Sequence, residues 1–334
     1  MDYNKEEMSK YHITVTNDHF YQLILEKKMN EVTNNYNTLQ KQHTRNPFNS
    51  RVTKLAPYLY LLPILIFSAL FTYYPFIRTF LYSFSTVNFK GEITKFIGLE
   101  NFKFLFSNPN FYNALAVTMR LVVMFVVLNL IFSLGLALLC CKKRKLSWLN
   151  ELMIILPMAV SMSALAMIFK LMLNPTAGII NHILHIDWGW FSDKQYALLG
   201  ILLVCLWMGI SFDFLLFLSA LRNVPVSVME AAAIDGAGPF TRFFRIRLPI
   251  ISPIVFYVIC TNVIQSIMTS GPVMILTEGG PARSTTTLVY MMFTSGYQSS
   301  NYSLSACISL VVFALTLLFT VLAFSFEKKG VHYQ

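Results

Sequence analysis

Long apolar runs separated by short polar stretches dominate the chain from about residue 55 onward. Six of them reach spanning length: Leu55 to Phe84, Asn113 to Cys141, Trp148 to Leu173, Gln195 to Leu221, Leu248 to Leu276 and Tyr302 to Phe326. A helix needs about 20 mostly apolar residues to cross the hydrocarbon of a bilayer. No water is available there, so each backbone polar group must be bonded within the segment, which selects helices. The pattern predicts an all-α membrane protein with six transmembrane helices. Pro57, Pro63 and Pro75 interrupt the first run, a pattern spanning helices tolerate when neighbouring groups satisfy the freed carbonyls. The residues before it are rich in Asn, Lys, Glu, Thr and Gln, with a weakly amphipathic patch from Phe20 to Leu39. They read as a cytoplasmic tail over 1–54, partly helical and partly disordered, ahead of a transmembrane domain over 55–334. A secretory signal places its apolar core within the first 30 or so residues, so the first span here is expected to be a retained helix.

Composition sharpens the class. Hydrophobic residues make up 55% of the 334, charged residues only 13%, and the mean hydropathy is +0.56. A soluble domain carries about 25% charged residues, so a soluble enzyme, a disordered chain and a disulfide scaffold are excluded. The formal net charge of +10 would suggest nucleic acid in a soluble protein, but no basic cluster is interleaved with aromatics on a polar face, and no nucleic-acid partner is expected. The placement of the basic residues matters more. Eight lie in the tail, four at Lys142–Lys145, four between Arg222 and Arg247 and two at Lys328–Lys329, so 18 of 26 fall on one side. Basic loops stay in the cytoplasm, which predicts a multi-pass protein of the cell membrane with N-in/C-in topology. The five cysteines sit in or at the ends of apolar runs without metal-binding spacing and read as packing residues. Cys140 and Cys141 also abut a basic cluster, where acylation is the alternative.

The polar insert between the fourth and fifth runs, 222–247, is the most informative stretch. It contains Glu230-Ala231-Ala232-Ala233-Ile234-Asp235-Gly236-Ala237-Gly238, then Phe240, Phe243, Phe244, Ile246, Leu248 and Pro249. Ser227 and Glu230 have capping-box spacing, Pro225 suits the start of a helix, and Gly236 and Gly238 stop it or turn the chain. A second short helix then carries Phe240, Phe243 and Phe244 among Arg242, Arg245 and Arg247. The result is a compact helix–turn–helix whose small outer face another protein's groove could admit. An amphipathic elbow resting on lipid headgroups is the alternative reading.

The order Glu-Ala-Ala, three residues, Gly, nine residues, Ile, one residue, Leu-Pro resembles the cytoplasmic signature of ABC-importer permeases. The extended run is similar to the carbohydrate-uptake branch, above all to the larger permease of the maltose importer. Gly178-Ile179-Ile180-Asn181 resembles that branch's Gly-Leu-Ile-Asn turn, and Leu276-Thr277-Glu278-Gly279-Gly280-Pro281 its Leu-Thr-x-Gly-Gly-Pro loop. The resemblance covers about residue 55 to the C-terminus. It departs at Ser270-Gly271, where the family usually carries Phe-Asp. The resemblance implies the type I ABC-importer permease fold. It also implies a coupling helix that docks on a cytoplasmic ATPase subunit through Glu230, Ala231, Ala232, Asp235 and Gly236. Partners implied are a second permease forming a heterodimer, two ATPase subunits and an extracytoplasmic solute-binding protein, with lipid around the spans. No Gly-x-x-x-x-Gly-Lys-Ser/Thr loop is present, so ATP and Mg are expected on the ATPase subunits, with no cofactor in this chain.

Polar residues inside the runs are candidates for a solute path, because such groups face protein or a wet cavity rather than lipid. Asn262, Gln265, Ser266 and Thr269 recur at helical spacing on one face. Such neutral donors and acceptors suit sugar hydroxyls, although they also serve as interhelical glue. Thr118, Asn129 and Ser133 share a face of the second run, and Arg120 points almost opposite. Arg120 either snorkels outward or lines the cavity, in which case an acidic or phosphorylated sugar or polyol becomes the solute. Asp213 is expected to bond a neighbouring helix. His182, His185 and Asp187 share one loop, spacing too weak for a metal site. A membrane-embedded enzyme would need converging acid, base or nucleophilic groups. The runs contain no histidine, so no catalytic residue is expected. A stand-alone channel would leave the insert unexplained.

Overall fold

The computed structural model describes residues 26–38, 50–142 and 145–330. Most of the tail, the patch residues 20–25 and Leu39, and Lys143 and Arg144 of the basic run lie outside the described residues. Contacts divide the chain into a short unit up to Tyr73 and a main unit from Tyr74. The short unit holds helix α1 over 26–38 and helix α2, Ser50–Ser68, followed by a π turn, Ala69–Tyr73.

The main unit begins with α3, Tyr74–Ser83, and a small antiparallel hairpin, β1 Ser85–Val87 and β2 Ile93–Phe96, paired Ser85 to Phe96 and Thr86 to Lys95. Asn88 closes the hairpin, because its Oδ1 accepts from the amides of Lys90 at 3.0 Å and Glu92 at 2.9 Å, an Asx-type turn. Helix α4, Glu100–Phe106, leads into the 32-residue helix α5, Pro109–Cys140, which Asn108 caps by accepting from the Asn110 amide.

The third apolar run does not form one straight span. Helix α6, Ser147–Ile155, passes through a 3-10 turn containing Pro157, and helix α7, Met162–Met172, leaves at 105°. Val160 is extended, and Ser161 starts the new helix by accepting from the Ala164 amide. Hydropathy had no way to register this bend, since both arms are equally apolar. After α8, Ile179–Leu184, comes α9, Ala197–Arg222, then α10, Val226–Ile234, α11, Pro239–Arg242, a π turn over Phe243–Arg247 and α12, Leu248–Ile250. Helix α13, Ser252–Ile267, breaks before α14, Gly271–Leu276. Helix α15, Leu288–Phe293, a π turn and α16, Tyr302–Gly330, complete the chain.

Five helices among the described residues are long and apolar enough to cross a membrane, or six if α6 and α7 count as one bent span. Three apolar clusters hold the unit together, and α5 contributes to all of them: Leu121 and Phe125 to the first, Val122 to the second, Ala137 to the third. Its other side shows Val123, Val127 and Ile131 outward, as a spanning helix does toward lipid or a partner.

Candidate functional site

The insert folds as a short helix, a tight turn and a second short helix. Its start differs from the expected capping box. Pro225 occupies the cap position, Ser227 already lies inside α10, and no side chain caps the helix. Proline supplies the pre-set backbone angle instead. Its end follows the glycine signal closely. The Gly236 amide donates to Ala233 O at 3.2 Å and the Ala237 amide to Ala232 O at 3.0 Å, the bond pair of a Schellman stop. Gly236 sits at φ +78°, in the left-handed region, and a Cβ there would meet nothing within 4 Å. Glycine is needed for the backbone angle rather than for space.

Of the five residues expected to dock, Ala232 is buried, while Glu230, Ala231, Asp235 and Gly236 are exposed. The Glu230 carboxylate has no hydrogen-bond or ion-pair partner among the described residues. Ile234 and Phe240 are 87% and 79% exposed, and Val226 stands beside them at 68%. These apolar groups therefore stand exposed on the same short insert as the unpartnered carboxylate.

The insert is fastened where it leaves α9. The Arg222 guanidinium grips Glu151 of α6 with both amino groups, at 2.5 and 3.1 Å, and donates to the Cys140 carbonyl of α5 at 3.3 Å. The fork geometry of arginine suits this paired contact. Three helix ends meet at one side chain.

Deeper in the bundle, Asp213 of α9 joins two other helices. Asn129 Nδ2 of α5 and Asn262 Nδ2 of α13 both donate to Asp213 Oδ2, at 2.5 and 2.6 Å, and all three residues are at most 2% exposed. Gly209 permits the approach, because a Cβ there would lie 2.8 Å from Phe125 Cζ and 3.0 Å from Asn129 Oδ1. Asp213 was expected to bond a neighbouring helix; the structure supplies two.

The four polar residues expected to share a face do not act as one row, and Thr269 lies beyond the end of α13. Asn262 and Ser266 turn inward, with Ser266 Oγ donating to its own helix at Asn262 O, 2.7 Å. Gln265 is exposed and Thr269 half-exposed. Packing of α13 against α5 and α9 divides Asn262 and Ser266 from Gln265. Gln265, followed by Thr269 just past the helix end, continues instead a stripe through Tyr257 and Thr261 in steps of four. The sequence reading missed those two, although stepping back from Gln265 by four would have found them. Thr118, Asn129 and Ser133 of α5 are fully buried, and Thr118 Oγ1 accepts from the Leu288 amide at 2.9 Å. Arg120 is exposed on the opposite side, with no hydrogen-bond or ion-pair partner among the described residues. His182, His185 and Asp187 line one small cleft of about 210 Å³. Among the described residues no three His, Cys, Asp or Glu side chains converge as metal ligands would.

Residues 130–329 match the family described as the binding-protein-dependent transport system inner membrane component. The chain belongs to this family. The match spans the insert and both helices that flank it. Relatives agree over a longer stretch. The sn-glycerol-3-phosphate transport system permease protein UgpA of Pectobacterium atrosepticum is 35% identical over 282 residues, covering 83% of this chain and 96% of that one. The UgpA of Yersinia pestis is 35% identical, with 83% and 96% covered. A chain from the crystal structure of a bacterial ABC transporter that imports the acidic polysaccharide alginate shares the fold. Its TM-score is 0.74 at 19% identity, with 84% of this chain and 97% of that chain covered. The same alginate transporter with an alginate-pentasaccharide-bound periplasmic protein gives 0.73 at 20% identity, with the same coverage. As a member of this family, the chain is a multi-pass permease of an ABC importer and shares the type I permease fold.

Proposed function

We propose that this permease draws a carbohydrate into the cell, with an oligosaccharide as its solute class. On this reading it crosses the membrane six times, the bent pair α6–α7 making the third crossing, with both termini in the cytoplasm. Residues 1–54 form the tail and 222–247 the coupling element. A second permease completes a heterodimer, two ATPase subunits bind ATP and Mg, and an extracytoplasmic solute-binding protein delivers the solute.

The surface of α10 carries this reading. A free Glu230 carboxylate, a small Ala-Ala face and a helix stopped by Gly236 present a rigid knob framed by Val226, Ile234 and Phe240. When the two ATPases close on ATP, a knob seated in their cleft moves with them and carries α9 and α13 along. Replacing Glu230 by Gln, or Gly236 by Ala, is expected to abolish solute-stimulated ATPase activity in the assembled complex while membrane insertion persists. Normal turnover in both variants refutes the docking role. The stripe Tyr257, Thr261, Gln265 and Thr269 is proposed to line the path, with Asn262 and Ser266 supporting it from behind. Gln265→Leu should weaken uptake, and unchanged specificity and affinity would remove Gln265 from the path.

Arg120 favours a second reading, in which the solute is an acidic or phosphorylated sugar or polyol. Its guanidinium is exposed and unpaired about 17 Å along α5 from Pro109, at 1.5 Å per residue, and an unpaired cation at that depth attracts an anionic group. The relatives named for sn-glycerol 3-phosphate and alginate accord with such a solute. Arg120→Gln should then lower uptake of an anionic substrate at least tenfold and leave neutral sugars untouched. Equal uptake of both classes before and after the change assigns Arg120 to snorkelling.

A further inference from the structure

A second polar site lies at the end of the bundle away from α10. Helix α5 places its first turn about 48 Å from Cys140, at 1.5 Å for each of 32 residues, and Cys140 is where Arg222 anchors the coupling segment. Beside that first turn a half-open cleft of about 540 Å³ lies against the loop after α14, α15 and the π turn behind it. That volume is in the range of small-molecule sites. Asn108, Asn110, Glu278, Arg283, Tyr290 and Gln298 stand on its wall.

Tyr290 is the most telling of the six. Its ring is packed in the core, while its hydroxyl is not sealed off and has no hydrogen-bond partner among the described residues, in a side chain that lines the cleft. Burial and, second, the Glu278 carboxylate push this phenol up from its ordinary value, which keeps it a neutral donor. The side chains of Asn110, Glu278, Arg283 and Gln298 likewise make no hydrogen bond among the described residues. Five uncommitted polar groups therefore share one cleft.

Their chemistry narrows the ligand. A metal ion would meet the Arg283 guanidinium, and an inorganic anion would meet the Glu278 carboxylate. Planar amide, carboxylate and guanidinium groups each offer two hydrogen-bonding positions side by side. That arrangement matches the adjacent hydroxyls of a sugar or polyol, which both donate and accept. The loop is also held in advance of any ligand. Glu278, Ala282 and Arg283 have φ of 50°, 49° and 61°, a region uncommon for residues with a Cβ. Thr285 Oγ1 donates to Gly280 O at 2.7 Å, Thr286 Oγ1 to Gly279 O at 3.0 Å and Asn113 Nδ2 to Arg283 O at 2.9 Å. Backbone fixed in such regions by its surroundings is a feature of ligand clamps, and rigidity before binding spares the ordering cost.

We propose that this cleft is a binding subsite for one sugar or polyol unit, occupied before the solute enters the path between the spans. The proposal rests on the importer reading and adds a site to it. The test uses the assembled importer in nanodiscs, without ATP or binding protein, and saturation-transfer NMR with maltotriose, glycerol and sn-glycerol 3-phosphate as probes. At least one probe should bind, and Tyr290→Phe and Arg283→Gln should each weaken it about tenfold, with the thermal stability of Tyr290→Phe unchanged. Absence of binding by all three probes overturns the proposal, as does binding that survives both substitutions. ATP is absent from this measurement, so normal turnover in the Glu230 and Gly236 variants would sink the docking role of the insert while leaving the subsite standing.

Discussion

Replacing Asp213 by Leu removes the single oxygen that α5 and α13 both bond. Asn129 Nδ2 and Asn262 Nδ2 reach it at 2.5 and 2.6 Å in a site at most 2% exposed, so the leucine leaves two amides facing apolar neighbours. A buried polar group left unsatisfied costs about 1–3 kcal/mol, which puts the upper bound near 6 kcal/mol for two. Measured interhelical bonds in membranes are weaker, about 0.6 kcal/mol on average and 1.7 at most, because separated helices find other partners in lipid. The second figure applies when a freed amide can turn away. Asn129 has little room to do so, with Phe125 and Gly209 closing around it, and we therefore expect a loss of about 2–4 kcal/mol. Asp213→Asn is the decisive contrast. Its carbonyl oxygen has two lone pairs and accepts both amides, and its NH₂ brings a donor toward Asn129 Oδ1, a buried acceptor without a partner. That variant should lie within about 1 kcal/mol of the parent or above it. Reversible unfolding in an SDS titration, followed by far-UV circular dichroism, measures both. A leucine variant as stable as the parent, or an asparagine variant as damaged as the leucine one, would refute the shared-acceptor account.

Two further substitutions probe the ends of the bundle. Glu151→Gln removes the charge that Arg222 grips; the pair is 26% and 19% exposed, so solvent screening reduces the full charge-assisted value to about 1–2 kcal/mol. The same titration should show that loss, and the exchanged pair Glu151→Arg with Arg222→Glu should recover part of it; no loss in the single variant removes Arg222 as an anchor. Asn181→Leu strips the acceptor from Trp190 Nε1, 2.6 Å away, and the donor to Trp188 O at 2.9 Å. Melting of the purified protein should fall by several degrees, in line with a cost of about 1–3 kcal/mol, and an unmoved transition would mean the Gly178–Asn181 turn does not hold the loop.

What the sequence made legible follows from which forces act locally. Spanning length and apolar composition are properties of a single segment, so α5, α9 and α16 could be read without knowing their neighbours. The stop at Gly236 was legible for the same reason, since a left-handed residue closing a helix is written in the residue itself. The start was misread because Ser227 and Glu230 have box spacing, and Pro225 sets the first turn two residues earlier without any side-chain cap. Pairings across the bundle were out of reach. Nothing in one chain says that Asn129 and Asn262, 84 and 49 residues from Asp213, converge on it. The same holds for the arc of α13, where packing alone decides that Ser266 faces in and Gln265 out. The 105° bend at Val160 was hidden because both arms are apolar and Pro157 is of a kind that straight spans also tolerate.

These pairings bear on how a push at α10 could reach the membrane interior. A short helix on flexible tethers would dissipate displacement in its own hinges, and coupling requires elements that move between discrete arrangements together. Here the insert is strung between α9 and α13, and those two helices are bonded at Asp213–Asn262. The first of them is also pinned at its end, by Arg222 to Glu151 and to the Cys140 carbonyl. A displacement of α10 therefore cannot splay α9 from α13 without breaking a buried hydrogen bond. It also cannot slide α9 past α5 without breaking a second one at Asn129 and the Arg222 contact. The cheaper response is for α5, α9 and α13 to move as one body. The polar stripe Tyr257, Thr261 and Gln265 rides on α13, so any motion of that body presents the stripe to a different neighbour.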